Sequence, residues 1–267
     1  MPSLQRIAIS TQQHRNSKLQ LTVEQKHYLG RVLRLRNGDR FIALDEQDQS
    51  WVVELSGEDC ATVLAAYSAP TELACRVILQ TAMPKTGMED VIRQTTELGV
   101  YGIQPIVSDR VILKPSAQKR QRWQRVAQEA AEQSERQHWP RVAEVQPFTA
   151  AIQQGAMPEA GHRGLSTAPT TAVRIICAAR RSAAHLLTYI QTIPMSETIV
   201  VAVGPEGGWT AAELDLAIAA GYHPVSLGRR VLRAVTAPVA AMVLIAAACD
   251  QHNPQDAQAN RSPELHD

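Results

Sequence analysis

The chain has 267 residues, of which 45% are hydrophobic and 20% charged, with a formal net charge of +1. That is length enough for one large domain or two with separate cores, and the composition excludes a disordered or fibrous chain. Cys60, Cys75, Cys177 and Cys249 are scattered with no CxxC pair, which excludes a disulfide scaffold and a structural zinc site, so no metal is expected.

The first segment, "MPSLQRIAISTQQHR", lacks the continuous apolar core of a secretory signal, and a cytoplasmic protein is expected. Charge is unevenly spread. Met1 to Arg40 holds eight Lys/Arg against two acids, Phe41 to Cys60 holds six acids and no Lys/Arg, and Arg110 to Arg141 holds eight Lys/Arg against three acids. Basic stretches of this kind attract phosphates while the whole molecule stays near neutral. "RIAIS", "DRFIALD", "SWVVELS" and "ATVLAAY" read as short strands, with a strong turn at Asn37-Gly38. "TVEQKHYLGRVLRL" between them reads as a short helix capped by Thr22, with Leu29, Val32 and Leu33 on one face. Residues 1–70 are therefore expected to form a small β-barrel with one helix, and "SAPTE" (Ser68 to Glu72) a linker.

From Leu73 strands and helices alternate, which predicts a doubly wound α/β domain over residues 73–250. "CRVILQT" is a strand. "GMEDVIRQTTELG" is a helix with Met88, Val91, Ile92 and Thr95 inward and Gly99 as its stop. After the strand "GIQPIVS" a long helix is expected from Ser116 to a stop at Pro140, with Trp123, Val126, Ala127, Ala130, Ala131 and Ser134 as its inner stripe. Ala151 to Ala172 is Gly/Pro/Ala-rich and reads as a mobile loop around a weak helix. "AVRIICA" and "ETIVVAVG" are continuous apolar runs, as in a parallel sheet covered on both faces. Thr210 and Glu213 form a capping box for a helix that ends at Gly221. The apolar run Ala237 to Cys249 is too short to span a bilayer, so no membrane association is expected; it reads as a buried helix and as a homodimer interface around Met242. The polar tail, residues 251–267, reads as disordered.

Two loops carry the chemistry. "VAVGPEGGWT" and "SLGRRVLRA" each follow a strand, where α/β folds bind ligands. Gly204-Pro205-Glu206-Gly207-Gly208 is neither a P-loop nor a dinucleotide fingerprint. Either loop alone reads equally well as a turn; together, on neighbouring strands, they point to one shared pocket.

"HYLGRVLRLRNGD", "MEDVIRQTTELGVYGIQPIVSDR", "RWQRVAQEAAEQSERQHWPRV", "VGPEGGWTAAE" and "LGRRVLRAVTA" occur in the order of the signatures of a known family. On these stretches the chain resembles the RsmE family of SPOUT-class methyltransferases, which methylate N3 of a uridine in bacterial 16S ribosomal RNA (uracil 1498 in that family). The resemblance implies a PUA-like β-barrel that helps bind RNA, followed by an α/β domain tied in a trefoil knot. It implies a homodimer acting on 16S rRNA within the small ribosomal subunit. It implies S-adenosylmethionine held by Val203, Gly204, Pro205, Glu206, Gly207, Gly208, Leu227, Gly228, Val231, Leu232 and Thr236. The chain departs from the family where the usual "LRTETA" reads "LRAVTA", so that Ala234 and Val235 stand in place of a hydroxyl and a carboxylate, and where "CAARR" (Cys177 to Arg181) lacks an acid.

Methylating a ring nitrogen requires alignment of nucleophile and methyl group and removal of the uracil imide proton. An arginine fork suits the resulting anion, which places Arg233 and Arg230 at the catalytic centre. Glu206 is placed there with them, in a position to hold loop amides rather than take the proton. Arg6, Arg31, Arg34, Arg36, Arg110 and Arg136 are expected to meet RNA. Two other readings stay open on sequence: methylation of a ribose 2′-hydroxyl, and an RNA-binding assembly factor with a weak pocket.

Overall fold

A computed structural model describes residues 4–45, 49–57, 59–67, 71–111, 115–154, 172–178, 183–193 and 198–251. These residues fall into two compact units. One holds the residues up to Glu72 together with Gln128–Trp139; the other holds Leu73–Ala127 and the described residues from Pro140 onward.

The first unit is built on a sheet of β1 (Arg6–Ala8), β2 (His14–Arg15), β3 (Lys18–Gln20), β4 (Arg40–Leu44), β5 (Ser50–Leu55) and β6 (Cys60–Ala66), ordered β1-β4-β5-β6-β3-β2. β1 runs parallel to β4 and the other pairs are antiparallel. Ile7 and Ile9, Phe41 and Ala43, and Val53 and Leu55 stand at alternate positions and share one core, the period of two that a strand imposes. The expected strands are present. The hairpin β2–β3 is additional; it turns at Asn16 and Ser17, at φ 46° and 63°.

Thr22 caps helix α1 (Val23–His27), and Gln25 completes its capping box. The turn then widens into a π-helical segment, Tyr28–Val32. The expected face of Leu29, Val32 and Leu33 assumed a 3.6-residue period. The wider turn rotates later residues off that face, so Leu29 is buried while Val32 is 57% exposed.

In the second unit the elements are β7 (Arg76–Ala82), α2 (Met88–Glu97), β8 (Gly102–Val107), α3 (Ala117–Gln133, of which the residues up to Ala127 belong to this unit), β9 (Arg141–Val142), β10 (Gln146–Pro147), α4 (Phe148–Gln154), β11 (Val173–Cys177), α5 (Leu186–Ile190), β12 (Thr198–Val203), α6 (Ala211–Ala219), β13 (His223–Val225) and α7 (Thr236–Gln251). The sheet is parallel, ordered β10-β8-β7-β12-β11-β13, with β9 beside β8. Both faces are covered. Val77, Leu79, Val201 and Val203 pack with α2, α3, α5 and α7 on one side. Ile78, Val200 and Ala202 pack with α4 and α6 on the other. This is why these strands read as unbroken apolar runs.

Two expectations need correction. The long helix does not reach Pro140: it ends at Gln133, and Glu135 takes a left-handed φ of 59°. The Glu72 carboxylate accepts the amides of Gln137 (2.9 Å) and His138 (3.0 Å), a stronger partner for those N–H groups than another turn's carbonyls. Met242 is not an interface residue; it is fully buried against its own chain's core. The side of α7 that the chain leaves open holds Val243, 45% exposed, and Ala247. Residues 155–171 of the expected mobile loop, Ser68 to Pro70 of the linker, Arg180, Arg181 and the tail from 252 lie outside the described residues.

Candidate functional site

The C-terminal ends of β12 and β11 and the loop after β13 converge on a cavity of ≈ 330 Å³. β12 delivers Val203 and then the Gly204–Gly208 loop, which ends where Thr210 caps α6. A side chain at Gly204 would press on the Trp209 indole, whose atoms lie 3.1–3.3 Å from the position of such a Cβ. Gly204 is thus the residue that lets Trp209 close over the loop. The second loop turns at Gly228, whose φ of 106° suits glycine alone, and its amide donates to the Ser226 hydroxyl at 3.1 Å.

A third segment completes the wall. Glu213, within the α6 capping box, also accepts the Asp109 amide at 2.9 Å. That bond fixes the chain after β8, and Arg110 beside it donates to the carbonyl of Gly207. Cys177 closes the floor; burial pushes its thiol up to about 12, so it serves as an apolar wall and not as a nucleophile.

Of the expected cofactor residues, Val203, Gly204, Pro205, Glu206, Gly207, Gly208, Leu227, Gly228, Val231 and Leu232 line this cavity, and Thr236 does not. Thr236 begins α7, with its amide bonded to the Arg233 carbonyl, while Ala234 and Ala237 take the wall positions. Arg230 lines the cavity; Arg233 is exposed and off its wall. The Glu206 carboxylate accepts the amide of Lys85 at 3.0 Å, so it holds an amide of the β7–α2 loop rather than of its own. Sequence reasoning missed that loop, as well as Trp209 and Cys177. The signal available was position alone: β7 is the neighbour of β12, so the end of β7 had to open beside the same cavity.

The arginines expected to meet RNA separate into three sets. Arg31, Arg34 and Arg36 are exposed, and among the described residues none is in an ion pair. Arg110 belongs to the cavity wall. Arg6 and Arg136 are structural. Arg6 is 6% exposed, pairs with Glu135 at 3.2 Å, donates to the Tyr67 hydroxyl at 3.2 Å and lies over its ring. Arg136, 2% exposed, is gripped by Glu72 through Nε and a terminal nitrogen. A guanidinium buried on a carboxylate has no face left for a phosphate. Among the described residues no group of three His, Cys, Asp or Glu is placed to hold a metal, and no helix is long and apolar enough to cross a membrane.

The chain matches an RNA methyltransferase domain over residues 71–246 and an RNA methyltransferase PUA domain over residues 21–60. It is 42% identical over 243 residues to a Synechocystis protein named ribosomal RNA small subunit methyltransferase E, covering 90% of this chain and 76% of that one. A Bacillus subtilis protein of the same name is 28% identical over 84% of this chain and 88% of its own. Among solved structures, the Neisseria gonorrhoeae ribosomal RNA small subunit methyltransferase E bound to S-adenosyl methionine superposes with a TM-score of 0.76 at 26% identity, over 91% of this chain and 97% of that one.

Proposed function

The chain belongs to the RNA methyltransferase family of the ribosomal RNA small subunit methyltransferase E proteins, and we propose that it transfers a methyl group from S-adenosylmethionine to N3 of a uridine in 16S rRNA of the small ribosomal subunit. The carrying observation is the convergence of the Gly204–Gly208 and Leu227–Leu232 loops on one cavity. Residues 73–250 would hold the reaction and residues 1–70 would bind RNA, in a cytoplasmic homodimer.

The cavity suits the cofactor. Its glycine loop lets a polar tail approach the backbone closely, while Leu227, Val231 and Leu232 offer an apolar slot for a purine. When bound, S-adenosylmethionine supplies an electrophilic methyl on a sulfonium. The rest falls to the protein. Arg230 lines the cavity where Arg233 does not, and it is the residue assigned to stabilise the charge that the uracil anion carries on a carbonyl oxygen, lowering the N3 pKa so that the proton leaves to water. Glu206 is committed to Lys85 and holds two loops in register. Val235 carries no acid, so the chain works without a carboxylate base at that place.

The test is methylation of small subunits from a strain lacking this modification, followed by nuclease digestion and mass spectrometry. The expected product is 3-methyluridine; a ribose-methylated nucleoside overturns the reading.

A further inference from the structure

No two cysteines are close in sequence, but the fold brings two of them together. Cys75 stands immediately before β7, and Cys249 lies two residues before the end of α7. They are 174 positions apart in the chain, and their Sγ atoms lie 2.7 Å apart. Both are buried in the core of the second unit, at 4% and 1% exposure. A sulfur–sulfur bond is about 2.05 Å long, so a small closing movement brings the pair to bonding distance. β7 runs parallel to β12, whose C-terminal end opens on the cofactor cavity, so the pair sits at the opposite end of the sheet.

The two thiols are not equivalent. Cys75 donates its S–H to the Cys249 sulfur. That bond holds the Cys249 thiol below its ordinary value against the effect of burial, and the same bond, with burial, pushes the Cys75 thiol up. The thiolate is the reacting form of cysteine, which makes Cys249 the nucleophile of the pair and Cys75 its resolving partner. A helix opens most readily at its ends, and Asp250 and Gln251 beyond Cys249 are exposed. Opening of that last turn gives a small oxidant its route to the pair. The other two cysteines are placed differently. Burial pushes the Cys177 thiol up to about 12, and Cys60 belongs to the first unit, where its thiol donates to the Ser56 carbonyl at 3.4 Å.

We propose that Cys75 and Cys249 form a reversible disulfide when the protein meets a peroxide. The Cys249 thiolate attacks one oxygen of hydrogen peroxide, the O–O bond breaks, and the departing hydroxide takes up the thiol's proton to leave as water. Cys249 is then a sulfenic acid. The Cys75 sulfur attacks the Cys249 sulfur, the S–O bond breaks, and the second hydroxide leaves as water with the Cys75 proton. Two thiols and one peroxide thus give one disulfide and two waters, the sulfurs yielding two electrons to the peroxide oxygens. A small-molecule dithiol reverses the reaction by exchange and is itself oxidised. The bond joins the start of the first strand of the second unit to the end of its last helix, so β7 through α7 lie inside the closed loop. A cross-link over so long a loop restricts the unfolded chain strongly. Oxidation therefore locks the domain without reaching the cofactor cavity.

The experiment uses the full chain, reduced, freed of reductant and treated with a small excess of hydrogen peroxide. Thiol titration in denaturant is expected to fall from four per chain to two. After alkylation, cleavage at lysine, arginine and glutamate parts Cys75 from Cys60 at Glu72, and mass spectrometry is expected to find the Cys75 peptide joined to the Cys249 peptide. The thermal midpoint is expected to rise by roughly 10 °C, the scale for closing a long loop in a domain of this size, and to return with dithiothreitol. Affinity for S-adenosylmethionine by calorimetry is expected to stay unchanged. Cys75→Ala and Cys249→Ala should each lose the rise, and Cys60→Ser should keep it. The peptide map needs only the wild-type chain, so it decides even where an alanine variant folds poorly. Four thiols surviving the peroxide, a bond made by Cys60 or Cys177, a bond between two copies, or oxidation that stops at a sulfenic or sulfinic acid overturns the proposal. So does an equal thermal rise in Cys75→Ala, and a bond that forms with no rise overturns the locking role.

Discussion

At the scale of single residues, Glu206 and Arg230 are both charged, both on the cofactor cavity, and assigned different work. Glu206→Gln keeps an oxygen that can accept the Lys85 amide, so turnover is expected within a few-fold of wild type. Arg230→Ala removes the anion's donor and is expected to lower kcat by a factor of about 100, the scale for loss of one oxyanion donor, with cofactor affinity little changed. Raising the pH should partly rescue it, because more of the free uracil is then ionised. Steady-state kinetics across pH separates the two; loss of chemistry in Glu206→Gln with both ligands still bound assigns the proton to a carboxylate. A second residue-level consequence concerns stability. Burial pushes the Tyr222 hydroxyl up to about 12, although its bond to Gln80 and the nearby Arg174 pull it down. The unfolded chain loses that proton near pH 10 while the folded one keeps it. The stabilisation is therefore complete below pH 10 and lost as pH rises toward 12. Denaturant titrations should show stability falling over that window, and falling less steeply in Tyr222→Phe.

Among the elements, much was legible because local chemistry and tertiary placement agree. The parallel strands are apolar on both faces, α6 carries Thr210 and Glu213 three positions apart, and α2 and α6 stop at Gly99 and Gly221, which sit at φ 90° and 87°. The failures at the end of α3 and at two arginines share one cause: a partner distant in sequence. Nothing near Gln133 announces the end of α3, because the group that captures the next amides is Glu72, more than sixty residues earlier. Arg6 and Arg136 looked like RNA-binding residues for the same reason, since Glu135 and Glu72 claim them only once the chain is folded. The cofactor loops were legible as glycine-rich turns after strands, whereas the β7–α2 loop at Lys85 had no motif to mark it. Removing Arg6 and Arg136 from the RNA set concentrates the expectation on the π-helical turn and its exit. Arg31→Ala with Arg34→Ala is expected to weaken RNA binding and to reduce the slope of log affinity against log salt by about two, one for each phosphate that is no longer neutralised. Calorimetry with S-adenosylmethionine should show no change. A double variant that binds RNA normally but loses the cofactor refutes that assignment.

For the molecule as a whole, α7 carries two duties on opposite sides. Ala241, Met242, Ile245, Ala248 and Cys249 face the chain's own core. A charge at Met242 would unfold the domain and report nothing on assembly. Val243 lies on the open side, 45% exposed, and burying what remains of it in a second copy is worth roughly 1 kcal/mol. Val243→Glu is therefore expected to leave the fold intact by circular dichroism and to give monomers by light scattering, where the proposed homodimer predicts a dimer for the wild type. A wild-type monomer at micromolar concentration removes the homodimer.

The bond between Lys85 and Glu206 has one more implication, which concerns the order of events. The glycine loop cannot move without the β7–α2 loop that Glu206 holds. Linkage requires that any change the cofactor makes in the affinity for RNA be returned by the same factor. If the cofactor draws the glycine loop tight, the Lys85 loop follows, and any RNA contact made there changes with it. The demethylated cofactor, which lacks the sulfonium charge, would relax the same loops and let the modified base go. The expected outcome is a turnover paced by release rather than by chemistry, in which truncating Glu206 to alanine, unlike the glutamine replacement, abolishes the mutual effect of the two ligands on each other's binding.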